Sequence, residues 1–179
     1  MARSKFEPHK FFEINDIALW SSSMSREVEF NPAIHDENST VTQSKREINV
    51  DAYRASFVGH DEELDFIRVL VTFGVRSVTK EGSPPDVLYA LEATFAIECL
   101  VKEVAEQKDF LHFVTVNCPH LAWSFWRQHV YDTFKKASLP VPIIPLLSGS
   151  KTTRGPRRIA RLAKVEAGSN STIDADSPG

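Results

Sequence analysis

The chain has 179 residues, of which 42% are hydrophobic and 25% are charged. This length fits one domain that buries a core, and this composition excludes a disordered, collagen-like or membrane-spanning chain. Two cysteines are too few for a disulfide scaffold, so a reducing compartment is expected. Residues 1–10 are mixed and charged, with no apolar stretch, which argues against a signal peptide and predicts a cytoplasmic protein.

Charge is distributed unevenly along the chain. Residues 1–150 hold 15 Lys and Arg against 21 Asp and Glu, a net charge of −6, whereas residues 151–179 hold six basic and three acidic residues, a net charge of +3. An acidic body argues against a nucleic-acid groove. We therefore divide the chain into an N-terminal arm (1–10), a folded domain (11–149) and a basic, largely flexible tail (150–179). A nucleic-acid adaptor acting through that tail stays as an alternative function.

The first predicted strand shows a slip in its alternation. Phe12 and Ile14 alternate with polar residues, and Ile17 and Leu19 then alternate on the opposite parity. Such a slip predicts a β-bulge. We expect the extended chain to continue through residues 26–30.

The second predicted strand follows a polar segment. Residues 31–46 hold few large apolar side chains and predict a long loop. From Glu47 onward apolar and polar residues alternate, which predicts a strand. The apolar parity changes after Tyr53, which predicts a second bulge, and residues 59–63 predict a turn.

The third and fourth predicted strands are the most regular. The third has one wholly apolar face, formed by Ile67, Val69, Val71, Phe73 and Val75. The fourth alternates from Tyr89 to Cys99, and residues 80–86, with one glycine and two prolines, predict a hairpin between the two strands. Four strands joined in this way predict an antiparallel sheet with one covered face.

A helix is predicted after the strands. Asn117 is expected to cap it, and Pro119 suits its first turn. One apolar arc, which is expected to cover the sheet, is formed by Ala122, Trp123, Trp126, Val130, Phe134 and Ala137. A second apolar patch, Leu121 and Phe125, indicates another surface against the helix. The preceding residues, 101–114, fit either a short helix or an irregular connector.

An apolar, proline-rich segment follows the helix. Residues 139–147 read LPVPIIPLL, and their three prolines exclude a helix. An extended apolar segment of this kind is expected to lie on another part of the protein.

Sequence motifs give little indication of catalysis. No zinc, nucleophile-elbow or phosphate-loop motif is present, and the six histidines lack metal-ligand spacing. We expect no cofactor, no metal and no enzyme activity. The one alternative is a small α+β thiol hydrolase using Cys118, which is followed by Pro119 and His120 at a predicted helix start. The other interpretation of Cys118 is a small buried side chain.

The segment CPHLAWSFWR, residues 118–127, resembles the start of the long helix in the SecB export chaperones. In that family a Cys-Pro pair is followed by an apolar residue, two aromatic residues and an arginine. Leu121, Trp123, Phe125 and Arg127 occupy those positions here. The four-strand order, the slipped first strand, the long first loop and the segment 139–147 are also similar, so the resemblance covers about residues 11–147.

The sequence departs from the family in three places. Ala137 stands where the family usually has glycine, and Ser-Gly-Ser with a basic tail follows where the family continues into a second helix. Ser21 stands where the family has an aspartate that contacts the SecA motor. Glu92 does match the acidic contact residue on the fourth strand.

The resemblance implies an α+β fold, in which a four-stranded antiparallel sheet is covered by a long helix in the C-terminal half. It implies a homotetramer, built as a dimer of dimers, that holds unfolded clients without ATP. The client is either a preprotein for export, with SecA as a further partner, or the antitoxin of a toxin–antitoxin–chaperone module. The net charge of the body favours basic clients.

Candidate site residues follow from this resemblance. The client groove is expected to be lined by Trp20, Tyr89, Leu91, Trp123, Trp126, Ile143 and Ile144. Core or subunit-interface positions are expected for Leu121, Phe125, Tyr131 and Phe134, and Glu92 is the expected motor contact.

Overall fold

The computed structural model describes residues 6–33, 37–56, 63–145 and 147. A single turn of helix, α1 (Pro8–Phe11), leads into strand β1 (Phe12–Arg26), and a short 3-10 turn (Glu37–Ser39) precedes β2 (Thr40–Ala55). Strands β3 (Leu64–Thr79) and β4 (Val87–Val101) follow. Helix α2 (Gln107–His112), a π-helical stretch (Phe113–Asn117) and helix α3 (Cys118–Lys136) complete the described elements.

The four strands form one antiparallel sheet in the spatial order β1-β4-β3-β2. The two regular strands lie at its centre, where Val71 of β3 pairs with Ile48 of β2 and with Phe95 of β4. The predicted antiparallel sheet and the predicted hairpin at residues 80–86 are confirmed. Strands β1 and β2 are the sheet edges among the described residues.

Strand β1 contains two irregularities in its pairing with β4. The register shifts between Ile14 and Asp16 and again between Leu19 and Ser21. The first shift confirms the bulge predicted from the slipped alternation. The second lies at Trp20 and was not predicted, because a single residue inserted after a short apolar run leaves no parity signal.

Strand β2 differs from its prediction in two ways. It begins at Thr40, so the predicted loop over 31–46 is wrong for its second half, and it pairs with β3 without a shift, so the predicted bulge after Tyr53 is also wrong. Most of its side chains are exposed, and a polar edge strand gives no apolar alternation to detect. Tyr53 stacks on Phe66, which explains its apolar character without a change of register.

Strand β1 also ends earlier than expected. Its last residue is Arg26, after which the chain turns: the Phe30 N–H donates to the Glu27 carbonyl at 3.2 Å, and the Arg26 guanidinium donates to the Phe30 carbonyl at 2.7 Å. The predicted tail, residues 150–179, and all but the last residue of the predicted turn at 59–63 lie outside the described residues.

The helical part of the chain begins ten residues before the predicted cap. Residues 101–114 include the short helix α2, one of the two expected alternatives. Asn117 has helical backbone angles and makes no capping bond, so its prediction as a cap is wrong. The π-helical stretch ends two residues before Pro119, which has no N–H to donate to the preceding turn of helix.

Helix α3 covers one face of the sheet, which we call the covered face. Its buried arc of Ala122, Trp126, Val130 and Phe134 packs against β3 and β4, as predicted. The wholly apolar face of β3 lies beneath it, each residue at most 5% exposed. The opposite face, which no described helix covers, is called the open face.

Candidate binding surfaces

A groove runs along one side of α3. The extended segment 139–145 turns back beside the helix, and the two enclose a volume of about 470 Å³. We call it the helix groove; it is lined by Ser124, Arg127, Gln128, Val130, Tyr131, Val141, Pro142, Ile143 and Ile144. Its apolar walls are open to solvent, because Ile143 is 93% exposed and Tyr131 is 51% exposed.

The segment that forms one wall is anchored at both ends. At its start Leu139 is buried, and its N–H donates to the Phe134 carbonyl at 3.0 Å. At its end the Trp123 indole N–H donates to the Pro145 carbonyl at 3.2 Å. Ile144 packs against the core, and since neighbouring side chains of an extended chain point to opposite sides, Ile143 points outward. The exposure of Ile143 therefore follows from the conformation of the anchored segment.

The charges beside the helix groove are mostly positive. Arg127 lines the groove and forms no ion pair with any described residue. The Lys135 ammonium lies 5.8 Å from the centroid of the Tyr131 ring. The nearby carboxylate of Asp132 accepts a hydrogen bond from the Gln128 amide at 2.9 Å.

A second apolar surface lies where α3 meets the edge strand β1. Ile14 and Leu19 of β1 and Phe125 of α3 are 43%, 49% and 47% exposed. Leu121 lines the same hollow as Ile14, and Phe125 follows it by four residues on the same side of the helix. We call these four residues the β1 patch. It borders the outer edge of β1, which pairs with no described strand.

A hydrogen bond joins α3 to β1 beside this patch. The Ser22 hydroxyl and the His129 Nε2 atom are 2.8 Å apart, and the His129 ring meets the Phe95 ring edge-on. Burial lowers the pKa of His129 below its ordinary value, with the nearby Asp132 opposing this effect. The neutral imidazole is therefore the favoured form at this contact.

The open face carries a cluster of aromatic and charged residues from all four strands. The Arg68 guanidinium lies 4.7 Å from the Trp20 ring centroid and 5.2 Å from that of Tyr53. Arg68 Nε and the Tyr53 hydroxyl, the latter at 2.6 Å, both donate to Glu98. These bonds raise the pKa of Arg68 and of Tyr53. Trp20 thus lies on the face opposite the helix groove.

Glu92, the expected motor contact, also lies on the open face and is ion-paired. Its partner is the ammonium of Lys45. The lysine side chain crosses directly over Gly74, where an added Cβ would lie 2.8 Å from Lys45 Cγ. Glycine at this position therefore lets the lysine reach across β3, and the pair neutralises the acidic residue.

The residues predicted to line one groove are divided among three environments. Tyr89, Leu91 and Trp126 are core residues, at 8%, 1% and 2% exposed, and they leave little surface for a client to contact. Trp20 lies on the open face. Ile143 and Ile144 line the helix groove, and Trp123 is half-buried beside it, with its ring edge-on to Phe73 at 5.0 Å.

The four residues predicted as core or interface also separate. Phe134 is in the core, Leu121 and Phe125 form part of the β1 patch, and Tyr131 lines the helix groove. Arg127 and Val141 also line the helix groove, and neither was predicted to do so. The four-residue spacing of Arg127, Tyr131 and Lys135 was an available signal, since it places all three on one side of the helix.

Cys118 does not have the surroundings of a catalytic thiol. It is fully buried, and burial together with the neighbouring Cys99 raises its pKa well above the ordinary value. Burial likewise raises the pKa of Cys99 to about 12. A nucleophilic thiol requires a lowered pKa and access to substrate, so these surroundings fit the alternative interpretation of a small buried side chain.

The described part of the chain has neither a metal-ligand cluster nor a membrane-spanning helix. No group of three or more His, Cys, Asp and Glu residues there is placed to hold a metal ion. No helix among the same residues combines the length and the apolar character needed to cross a membrane.

Comparison with known proteins gives a structural match. No protein-family model matches the chain, and no curated protein matches it by sequence. Among solved structures it is similar to the Mycobacterium tuberculosis Rv1957 SecB-like chaperone, solved in complex with a ChAD peptide from the Rv1956 HigA1 antitoxin. The TM-score is 0.59 at 15% identity, over 80% of this chain and 96% of that one. The fold is SecB-like. The expected α+β arrangement of sheet and long helix is thereby confirmed.

Proposed function

We propose that this SecB-like protein is an ATP-independent cytoplasmic holdase that binds non-native polypeptide in the helix groove. The observation that carries the proposal is the open apolar groove on a SecB-like fold. Ile143 is held outward at 93% exposure by a segment anchored at both ends. Exposed apolar surface of this kind marks a site of interaction with another molecule.

The groove suits a client that is recognised by its exposed apolar side chains and not by a particular sequence. Burial of apolar surface contributes about 25 cal/mol per Å² and has no directional requirement. Many different unfolded segments therefore fit the same groove. A protein that binds the unfolded form of its client shifts the folding equilibrium by mass action, so holding needs no nucleotide.

An antitoxin is the client that we propose. The similar chaperone Rv1957 was solved with an antitoxin peptide, which supports this class of client. The open face supports the same choice over export with the SecA motor, because Glu92 is paired with Lys45 and Ser21 supplies no carboxylate. Recovery of an exported preprotein as the client would instead support a role in protein export.

We further propose that the protein self-associates through the β1 patch and the outer edge of β1, within a dimer of dimers. The patch leaves Ile14, Leu19 and Phe125 about half exposed on one subunit. An edge strand of 15 residues also presents backbone groups that pair readily with another strand. A second copy of the chain would cover both features.

The groove assignment is tested by aggregation suppression without ATP. We expect the wild-type protein to keep a denatured model protein in solution, and Ile143→Ser to lower this capacity several-fold. Val104→Ser is the matched control, because Val104 is also 93% exposed but lies outside the groove. If the wild type does not suppress aggregation, or if both variants equal it, the holdase proposal is wrong.

Client and assembly need separate measurements. Protein recovered with the wild type but not with Ile143→Ser identifies the client, and an exported preprotein in place of an antitoxin contradicts the client assignment.

Light scattering tests the assembly. The wild type should have the mass of a tetramer, and Phe125→Asp should lower that mass whereas Val104→Asp should not. A wild-type monomer would contradict the assembly.

A further inference from the structure

The positive rim of the helix groove differs in sign from the protein as a whole. Three residues spaced by four along α3, Arg127, Tyr131 and Lys135, place a cation one helical turn to either side of the groove's exposed aromatic ring. Residues 1–150 nevertheless carry a net charge of −6. The net charge predicts basic clients, and the rim predicts the opposite.

The charges at the groove, and not the net charge of the protein, should set which clients bind, because electrostatic interactions in solution are short-ranged. Exposed charges are largely screened beyond about 8 Å at physiological ionic strength. Many of the protein's carboxylates lie away from the groove: Glu27, Glu29 and Asp86 line a separate hollow, and Glu92 and Glu98 are paired on the open face. Asp132, next to the groove's tyrosine in sequence, accepts a hydrogen bond from Gln128 and keeps its charge. Residues 124–136 nevertheless hold three cations, Arg127, Lys135 and Lys136, against this one carboxylate.

We propose that the helix groove selects apolar segments flanked by acidic residues; this inference rests on the proposed holdase function. An apolar or aromatic side chain of the client packs against Tyr131 and Ile143, and carboxylates on either side of it meet Arg127 and Lys135. The Arg127 guanidinium, which forms no ion pair within the described part of the chain, offers a carboxylate two parallel N–H donors.

The geometry also fixes the spacing of the acidic residues. Side chains four apart on a helix are separated by about 5–6 Å, and an extended peptide rises about 3.3 Å per residue. The client carboxylates should therefore lie about two residues to each side of the apolar anchor.

Three synthetic peptides test the inference. They share one apolar centre and carry glutamate, glutamine or lysine two residues to either side. Fluorescence anisotropy with the full-length protein should show the acidic peptide binding tightest and the basic one weakest, by about two- to fivefold per charge, as expected for exposed ion pairs. The difference should shrink as salt is raised.

Two variants locate the preference at the rim. Arg127→Gln should lower the ratio of acidic-peptide to neutral-peptide affinity, and this ratio is compared with the wild-type ratio so that any change in neutral binding is cancelled. Lys108→Gln, an exposed cation on α2 outside the groove, should leave the ratio unchanged. Equal binding of all three peptides, or tightest binding of the basic one, overturns the inference while leaving the holdase intact. Failure of all three peptides to bind, with Ile143→Ser also without effect on holding, overturns both.

Discussion

The indole ring of Trp126 stacks on the phenyl ring of Phe73, with ring centroids 5.8 Å apart and planes 27° from parallel. The two side chains are 2% and 1% exposed, so their packing holds α3 against β3 on the covered face. A groove role for Trp126 would require it to leave this contact. Trp126, predicted to line the client groove, thus belongs to the core, as do Tyr89 and Leu91.

Trp126→Ala should act on stability. Removing a buried aromatic side chain costs about 3–5 kcal/mol of unfolding free energy, because the cavity does not fully collapse. Tyr131→Ala, at a half-exposed groove position, should cost under about 1 kcal/mol and instead weaken client holding. Urea unfolding measures both. Lost holding by Trp126→Ala with an unchanged unfolding midpoint would contradict the core assignment.

The regular strands and the long helix were predictable because their buried side chains recur at a fixed spacing in the sequence. The buried faces of β3 and α3 appear in the sequence as repeats of two and of about 3.6 residues. The first bulge of β1 was predictable for the same reason, since an extra residue at Asn15 reverses the parity of a strand with an apolar face. The half of β2 before Glu47 was not, because polar residues on an edge strand carry no such signal.

The division between core and groove could not be predicted from periodicity. An apolar arc shows which side of a helix is apolar, but it does not show what lies against each residue. Trp123 and Trp126 are both aromatic and lie on one arc, yet one is half-buried and the other enclosed. Ile143 and Ile144 are identical side chains with opposite directions, which the anchoring of the segment at Leu139 and Pro145 decides.

His129 should make stability depend on pH. Burial lowers its pKa below the ordinary value of 6.5, so the folded state binds a proton less readily than the unfolded state. Its contribution is fully present above about pH 6.5 and is lost as the pH falls through the folded pKa. His129→Gln keeps a donor and an acceptor for Ser22 and should flatten this part of the stability profile. The exposed His120→Gln is the control.

Chemical denaturation at a series of pH values measures the effect. The groups that face His129 are Ser22 and Phe95, with Asp132 and Lys136 as the nearby charges. A wild-type profile identical to that of His129→Gln between about pH 7 and pH 5 would show that this imidazole does not titrate differently on folding.

Cys118 should be chemically silent in the folded protein. Its thiol is buried and its pKa is raised, so iodoacetamide should modify it only in denaturant. Cys118→Ser should lower stability by about 1–3 kcal/mol, because it buries a hydroxyl without an assured partner. Holding by the folded fraction should be unchanged. Rapid modification of Cys118 by iodoacetamide in the native protein, with loss of client holding, would contradict the buried-thiol assignment and support the thiol-hydrolase alternative.

The Lys45–Glu92 ion pair should block the motor contact that the SecB resemblance implies. Both side chains remain nearly half exposed, so breaking the pair by Lys45→Ala should change stability by less than about 1 kcal/mol. We expect no measurable binding of purified SecA to the wild type. The double variant Ser21→Asp with Lys45→Ala supplies the missing carboxylate and frees Glu92, and it should gain binding; Ser21→Asp with Lys108→Ala controls for net charge. Tight binding by the wild type that Glu92→Gln abolishes would show that the paired carboxylate is still available to a motor.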